Sequence, residues 1–115
     1  MLNLIKKGGN TMTKVKLEAG ICGFVTLIEA QQDDDGMVVF KCTTGCPNIK
    51  RAFEKFPDCM DPMTECFKDL HETEIFQTLL PELPHISCPS CSAFLKALEI
   101  EGGLALARDA HITIT

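Results

Sequence analysis

The chain contains no tryptophan and no tyrosine, and aromatic residues of any kind fill only 6% of its 115 positions. The usual stacking platforms and the large amphipathic anchors of protein interfaces are therefore missing. Positive charge is also scarce. Eleven Lys and Arg stand against sixteen Asp and Glu, for a net charge of −5. Such a chain repels a phosphate backbone on average, and no basic stripe offsets this, so no nucleic-acid partner is expected. No apolar run approaches the ~18 residues of a membrane span, so no membrane association is expected either. The amino terminus, Met1-Leu2-Asn3-Leu4-Ile5-Lys6-Lys7-Gly8-Gly9, puts its lysines after a short apolar stretch, the reverse of a secretory signal. No nucleophile–base pair, phosphate loop or paired catalytic carboxylate stands out, and no reaction is assigned.

Cysteine is what the chain has in excess, seven in all. Without an export signal the expected compartment is the cytoplasm, where thiols stay reduced. An odd count also fits a disulfide framework poorly. The thiols then divide among metal ligands, redox groups and buried packing. Apolar residues at 45% and charged residues at 23% suit a globular chain, and the length suits one domain. Gly8-Gly9-Asn10 breaks any periodicity, so residues 1–12 read as a flexible lead-in and 13–115 as a single domain. Met12 is a second candidate start beside Met1.

From Lys14 the pattern alternates, with Val15 and Leu17 on one side and Lys14, Lys16 and Glu18 on the other, as in a strand. Phe24–Ala30 and Met37–Thr43 are two further strand candidates, joined by Gln31-Gln32-Asp33-Asp34-Asp35-Gly36, which ends in a hairpin dipeptide. The three aspartates lack the spaced ligands of a calcium loop and read as a solvated turn. The period then lengthens. Ile49, Ala52, Phe53 and Phe56 predict an amphipathic helix, Asp61-Pro62 opens a short one, and Thr73–Leu80 a third. The longest runs from about Pro89 to Gly102-Gly103, with Cys91, Phe94, Leu95 and Leu98 on one face. His111-Ile112-Thr113-Ile114-Thr115 alternates as a candidate closing edge strand. The expected class is α+β: a small antiparallel sheet of three strands, with that fourth at its edge, and helices on one face.

Cys46-Pro47 and Cys88-Pro89 each open a helix, where a thiol meets free N–H groups and shifts toward thiolate, the form that binds metal. Cys22 lies in the bend Gly20-Ile21-Cys22-Gly23. Cys91 follows Cys88 with the two-residue gap of a zinc or cluster knuckle, and equally belongs to the apolar helix face. Cys42, in register with Val38 and Phe40, and His85, three before Cys88, are the other candidates for a fourth ligand. Cys59 and Cys66 have no chelating gap and read as structural. His71 sits at a helix end and His111 on the last strand, neither with a partner in view.

Gly20-Ile21-Cys22-Gly23, Gly45-Cys46-Pro47-Asn48 and Ser87-Cys88-Pro89 together resemble the small TSCPD-type domains, and the order of the three cysteines is similar to NifU/IscU-type iron–sulfur scaffold proteins. Ala93-Phe94-Leu95-Lys96-Ala97-Leu98-Glu99 with Gly102-Gly103-Leu104-Ala105-Leu106 also looks like a small uncharacterised family of anaerobes and methanogens. The resemblance covers about residues 14–110 and implies a NifU/IscU-like fold with ligands at Cys22, Cys46 and Cys88. The chain departs from the scaffolds at two points. Gly23-Phe24-Val25 offers no carboxylate beyond the first cysteine, and Ser87 stands where the scaffolds place a histidine.

Three functions follow. One is a metal or iron–sulfur binding domain with Cys22, Cys46, Cys88 and Cys91 as ligands, since soft thiolates select zinc or a cluster. The second is a thiol-redox protein using Cys88-Pro89-Ser90-Cys91. The third is a metal-free domain that acts by contacting a protein partner.

Overall fold

The computed structural model describes residues 12–115, so the expected lead-in lies, apart from Met12, outside the described residues. Three strands, β1 (Thr13–Glu18), β2 (Val25–Gln32) and β3 (Val38–Thr44), form an antiparallel sheet in the order β1-β2-β3. Register follows Val15 opposite Ile28 and Ile28 opposite Cys42. Alternation then puts Val15, Leu17, Thr26, Ile28, Ala30, Val38, Phe40 and Cys42 on the covered face, while Lys14, Lys16, Leu27, Val39 and Lys41 face outward. The β2–β3 connection closes as the Asp-Gly signal predicts. Gly36 adopts φ +84°, and the Asp33 carboxylate accepts from the N–H groups of Asp35 and Met37. That carboxylate is satisfied by its own turn, in keeping with a solvated loop rather than a cation site.

Four helices follow: α1 (Pro47–Phe53), α2 (Pro62–Glu65), α3 (Glu74–Leu79) and α4 (Ser90–Glu101). Asp61 caps α2 by accepting from Met63 N–H, and Thr73 caps α3 by accepting from Phe76 N–H. Two 3-10 turns, Leu70–Glu72 and Leu80–Glu82, flank α3. The longest helix, α4, lies against β1 and β2. Its buried face carries Ala93, Phe94, Ala97, Leu98 and Glu101. It ends in a Schellman turn, with Leu104 N–H donating to Glu99 and Gly103 N–H to Ile100, and Gly103 takes φ +79°.

The closing edge strand expected at His111–Thr115 does not form. Residues 104–115 carry no regular structure, and Ile112 and Ile114 are exposed. Alternation marks a segment able to pair, but pairing needs a receiving edge, and among the described residues no ladder takes this one. The class is otherwise as expected: α+β, three antiparallel strands, helices on one face. Among the described residues no helix is long and apolar enough to cross a membrane.

Gly102 is chosen for space. A Cβ there would stand 2.6 Å from the Pro62 Cβ and 3.1 Å from the Leu98 carbonyl oxygen. Gly102→Ala should cost about 1–3 kcal/mol through this overlap, read as a lowered midpoint of thermal unfolding. An unchanged midpoint would mean that α2 does not press against the end of α4.

Candidate functional site

The far end of α4 decides where its cysteines stand. Glu101, fully buried in the last turn, accepts from the N–H and the hydroxyl of Thr13 (3.2 and 2.8 Å) and from the N–H of Gln32 (2.8 Å). Thr13 begins β1 and Gln32 ends β2, so the carboxylate fixes the helix terminus at that end of the sheet. At the usual helical rise its twelve residues span about 18 Å, close to the length of β1, and they lead back along the sheet. Cys91 in the first turn, and Cys88 just before it, are therefore carried away from the Glu101 clasp. At the other end of the sheet β1 turns into β2 and β3 gives way to α1. Cys22 and Cys46 occupy that same end.

Cys22 is the third residue of a tight turn closed by Gly23 N–H donating to the Gly20 carbonyl at 2.9 Å. Gly20 and Gly23 have φ of +106° and +75°, a region that only glycine enters freely. A side chain added at either would meet nothing within 4 Å, so the turn stands clear of its neighbours with Cys22 exposed. Cys46 is the N-cap of α1, and its thiol makes no capping hydrogen bond. It is buried, and its N–H donates to Thr44 Oγ1, itself paired with Thr26 Oγ1.

Cys88 falls one residue earlier than the dipeptide predicts, because Pro89 is the N-cap and α4 starts at Ser90. Its N–H donates to the His85 carbonyl, and its thiol to the Ser90 hydroxyl at 3.4 Å. Cys91, half-buried, packs against the core. Burial, and then the charge of Cys88, push its thiol above the usual range. Arg51 of α1 and Lys55, just past its end, both reach Glu82, at 3.3 and 2.5 Å, and tie the helix behind Cys46 to the segment that leads to Cys88. Lys55 and then Arg51 hold the Glu82 carboxyl below its usual range.

The four sulfurs do not close on one another. Among the described residues, no three of them lie within 4.8 Å of one another. The set of three ligand-type side chains that does meet that limit is Asp69, His71 and Glu72, all exposed, around the 3-10 turn after α2. A search for thiols passes over it. The signal was a carboxylate, an imidazole and a second carboxylate within four positions.

The remaining candidates separate cleanly. Cys42 lies on the covered face of β3, and burial pushes its thiol up to about 11. It lines a groove of about 360 Å³ with Thr43, Thr44, Lys50, Phe53 and Glu54. Cys66 caps the end of α2, and burial, then the charges of Glu99, Glu65 and Asp61, push its thiol up to about 11. His85 is exposed in the turn before Cys88. At pH 8 Cys42 and Cys66 each hold about a hundredfold less thiolate than an unshifted thiol. Iodoacetamide should therefore label both slowly, at rates that climb as pH approaches 11, while exposed Cys22 reacts early. Early labelling of Cys42 in folded protein would contradict its burial.

Residues 13–114 match a family model described as a family of unknown function, DUF6951, and the chain belongs to that family. No curated protein and no solved structure matches it.

Proposed function

We propose that this member of DUF6951 binds a soft metal ion or an iron–sulfur cluster through the thiolates of Cys22, Cys46, Cys88 and Cys91. The observation that carries the reading is the direction of α4. With Glu101 held at the start of β1, the first turn of the helix, with Cys91 in it and Cys88 just before it, points away from that end of the sheet, which supports its approach to Cys22 and Cys46.

Chemistry supports it. Thiolates favour zinc or iron–sulfur centres over magnesium or calcium. The proton that burial keeps on Cys91 is displaced when a cation arrives, because a coordinating thiol ionises outright. The Cys22 turn, held by two left-handed glycines and packed against nothing at those positions, is free to fold inward as the metal draws the sulfurs together. Resemblance to NifU/IscU-type scaffolds points to the same three positions, Cys22, Cys46 and Cys88. The carboxylate and histidine that those scaffolds add are replaced here by Gly23-Phe24-Val25 and Ser87, so the proposed role is holding a metal or cluster, not building one. Four thiolates would close the site, as in structural zinc centres, whereas three would leave a position open.

Protein purified without oxygen should contain stoichiometric zinc, or iron with acid-labile sulfide and a visible chromophore. Cys22→Ser, on an exposed turn, and Cys88→Ser should each lose most of that metal, at least tenfold, while Cys59→Ser keeps it. Equal metal in all of these proteins, or none in any, would overturn the ligand set.

A further inference from the structure

We propose that Cys88 and Cys91 form a dithiol–disulfide pair whose oxidation withdraws two thiolates from the site and releases its metal. The pair stands on geometry alone; its consequence for the metal rests on the metal-binding reading.

Cys88 lies just outside the helix and Cys91 in its first turn, with the two-residue gap of Cys-x-x-Cys pairs, and a small closure gives the Cβ separation of roughly 3.5–4.5 Å that a disulfide needs. The small closure falls on the side free to move. Cys88 precedes the helix, whose first hydrogen bond runs from Ala93 N–H to the Pro89 carbonyl, so its backbone shifts without breaking a rung of α4. The two thiols stand on either side of the helix boundary. They are also unequal. Cys91 packs against the core, whereas Cys88 stands outside the helix with its thiol on the Ser90 hydroxyl. This division assigns the attacking role to Cys88 and the resolving role to Cys91. Elsewhere, burial holds Cys42 and Cys66 protonated at neutral pH, and Cys46 is enclosed.

The oxidant is a low-molecular-weight disulfide, RSSR. The Cys88 thiolate attacks one sulfur, the S–S bond of RSSR breaks, and RS⁻ leaves with the bonding pair. The mixed disulfide on Cys88 leaves Cys91 as the thiol three positions on in the chain. The Cys91 thiolate then attacks the Cys88 sulfur and expels the second RS⁻. The two protons lost by the protein end on the two RS⁻ groups. The pair is oxidised by two electrons and RSSR is reduced to two RSH.

The test uses the full chain, reduced and metal-free, in mixtures of glutathione and glutathione disulfide at neutral pH. The seven thiols should fall by two, with peptide mass mapping placing the bond between Cys88 and Cys91. Cys91→Ser should trap glutathione on Cys88, and Cys88→Ser should reduce the adduct at Cys91 at least tenfold relative to that. A bond mapped elsewhere, or Cys91→Ser protein without an adduct on Cys88, overturns the pair. In a second arm, zinc-loaded protein is oxidised in the same way and released zinc is read with a chromogenic chelator. Release in step with the Cys88–Cys91 bond supports the coupling, and zinc retained after the bond has formed overturns it. Reduced protein that takes up no zinc overturns the zinc form of the site and with it this coupling, while the mapping still decides the pair.

Discussion

Phe94→Ala should cost about 3–5 kcal/mol, a large share of the stability of any small domain. The Phe94 side chain is fully buried on α4, with ring centroids of Phe56, Phe40 and Phe53 at 5.0, 5.7 and 6.2 Å. Those three rings come from β3, from α1 and from the turn that follows α1. Each is fixed by its own backbone, so the group cannot collapse into the space that Phe94 leaves, and the cavity cost adds to the lost transfer energy. Urea unfolding should show a lower midpoint with an unchanged slope. Phe94 also follows Cys91 by three positions and holds the first half of the helix against α1. Metal retention should fall in the same variant even though no sulfur is altered. A loss no larger than that of Leu106→Ala, whose side chain is 54% exposed, would contradict the packing argument.

Glu101→Ala should act on the other end of the helix, for a reason that is polar instead of apolar. Its two oxygens satisfy two backbone N–H groups and one hydroxyl from opposite ends of neighbouring strands. Alanine leaves those donors without these acceptors, and unpaired buried groups cost ~1–3 kcal/mol each, so a total of roughly 3 kcal/mol is expected. For a domain of this size that corresponds to a fall of roughly 10–20 °C in Tm. Glu101→Gln should lie between, since its amide keeps one acceptor and turns an N–H₂ toward donors that need oxygen. A glutamine variant as stable as wild type would show that the charge contributes nothing. An alanine variant as stable would show that the strand ends do not depend on the carboxylate.

Much of the architecture is written in local periods. Val15 and Leu17 against Lys14 and Lys16 mark β1, the Asp-Gly pair marks the β2–β3 turn, and the spacing of Phe94, Leu95 and Leu98 marks α4. Each of these signals lies within a few residues, as does the proline that limits the start of each of the first two helices. Segments of three residues carry no period, which is why the 3-10 turns around α3 are not legible. Ile112 and Ile114 misled for the opposite reason: a local pattern was present and its partner was not. The candidate site is legible as a set of residues but not as a place. Cys22, Cys46, Cys88 and Cys91 stand out by spacing and by their glycine and proline neighbours. What directs the helix that follows Cys88 and carries Cys91 is Glu101 bonding to Thr13 across 88 positions, and a glutamate before two glycines reads in sequence only as the last turn of a helix.

That clasp has a consequence for how the domain connects to anything covalently attached to it. Because Thr13 and Glu101 touch at 2.8 Å, entry to the fold and departure from its last helix are neighbours in space. A host protein could carry residues 13–103 between two adjacent residues of a surface loop, since that stretch leaves close to where it came in. The same closeness allows the order of elements to be cut and rejoined. A short bridge from the Gly103 turn to Thr13, with new ends opened in the Asp33–Gly36 loop, would preserve every strand pairing described above and would leave the Cys22 and Cys46 connections at the opposite end of the sheet from the joint.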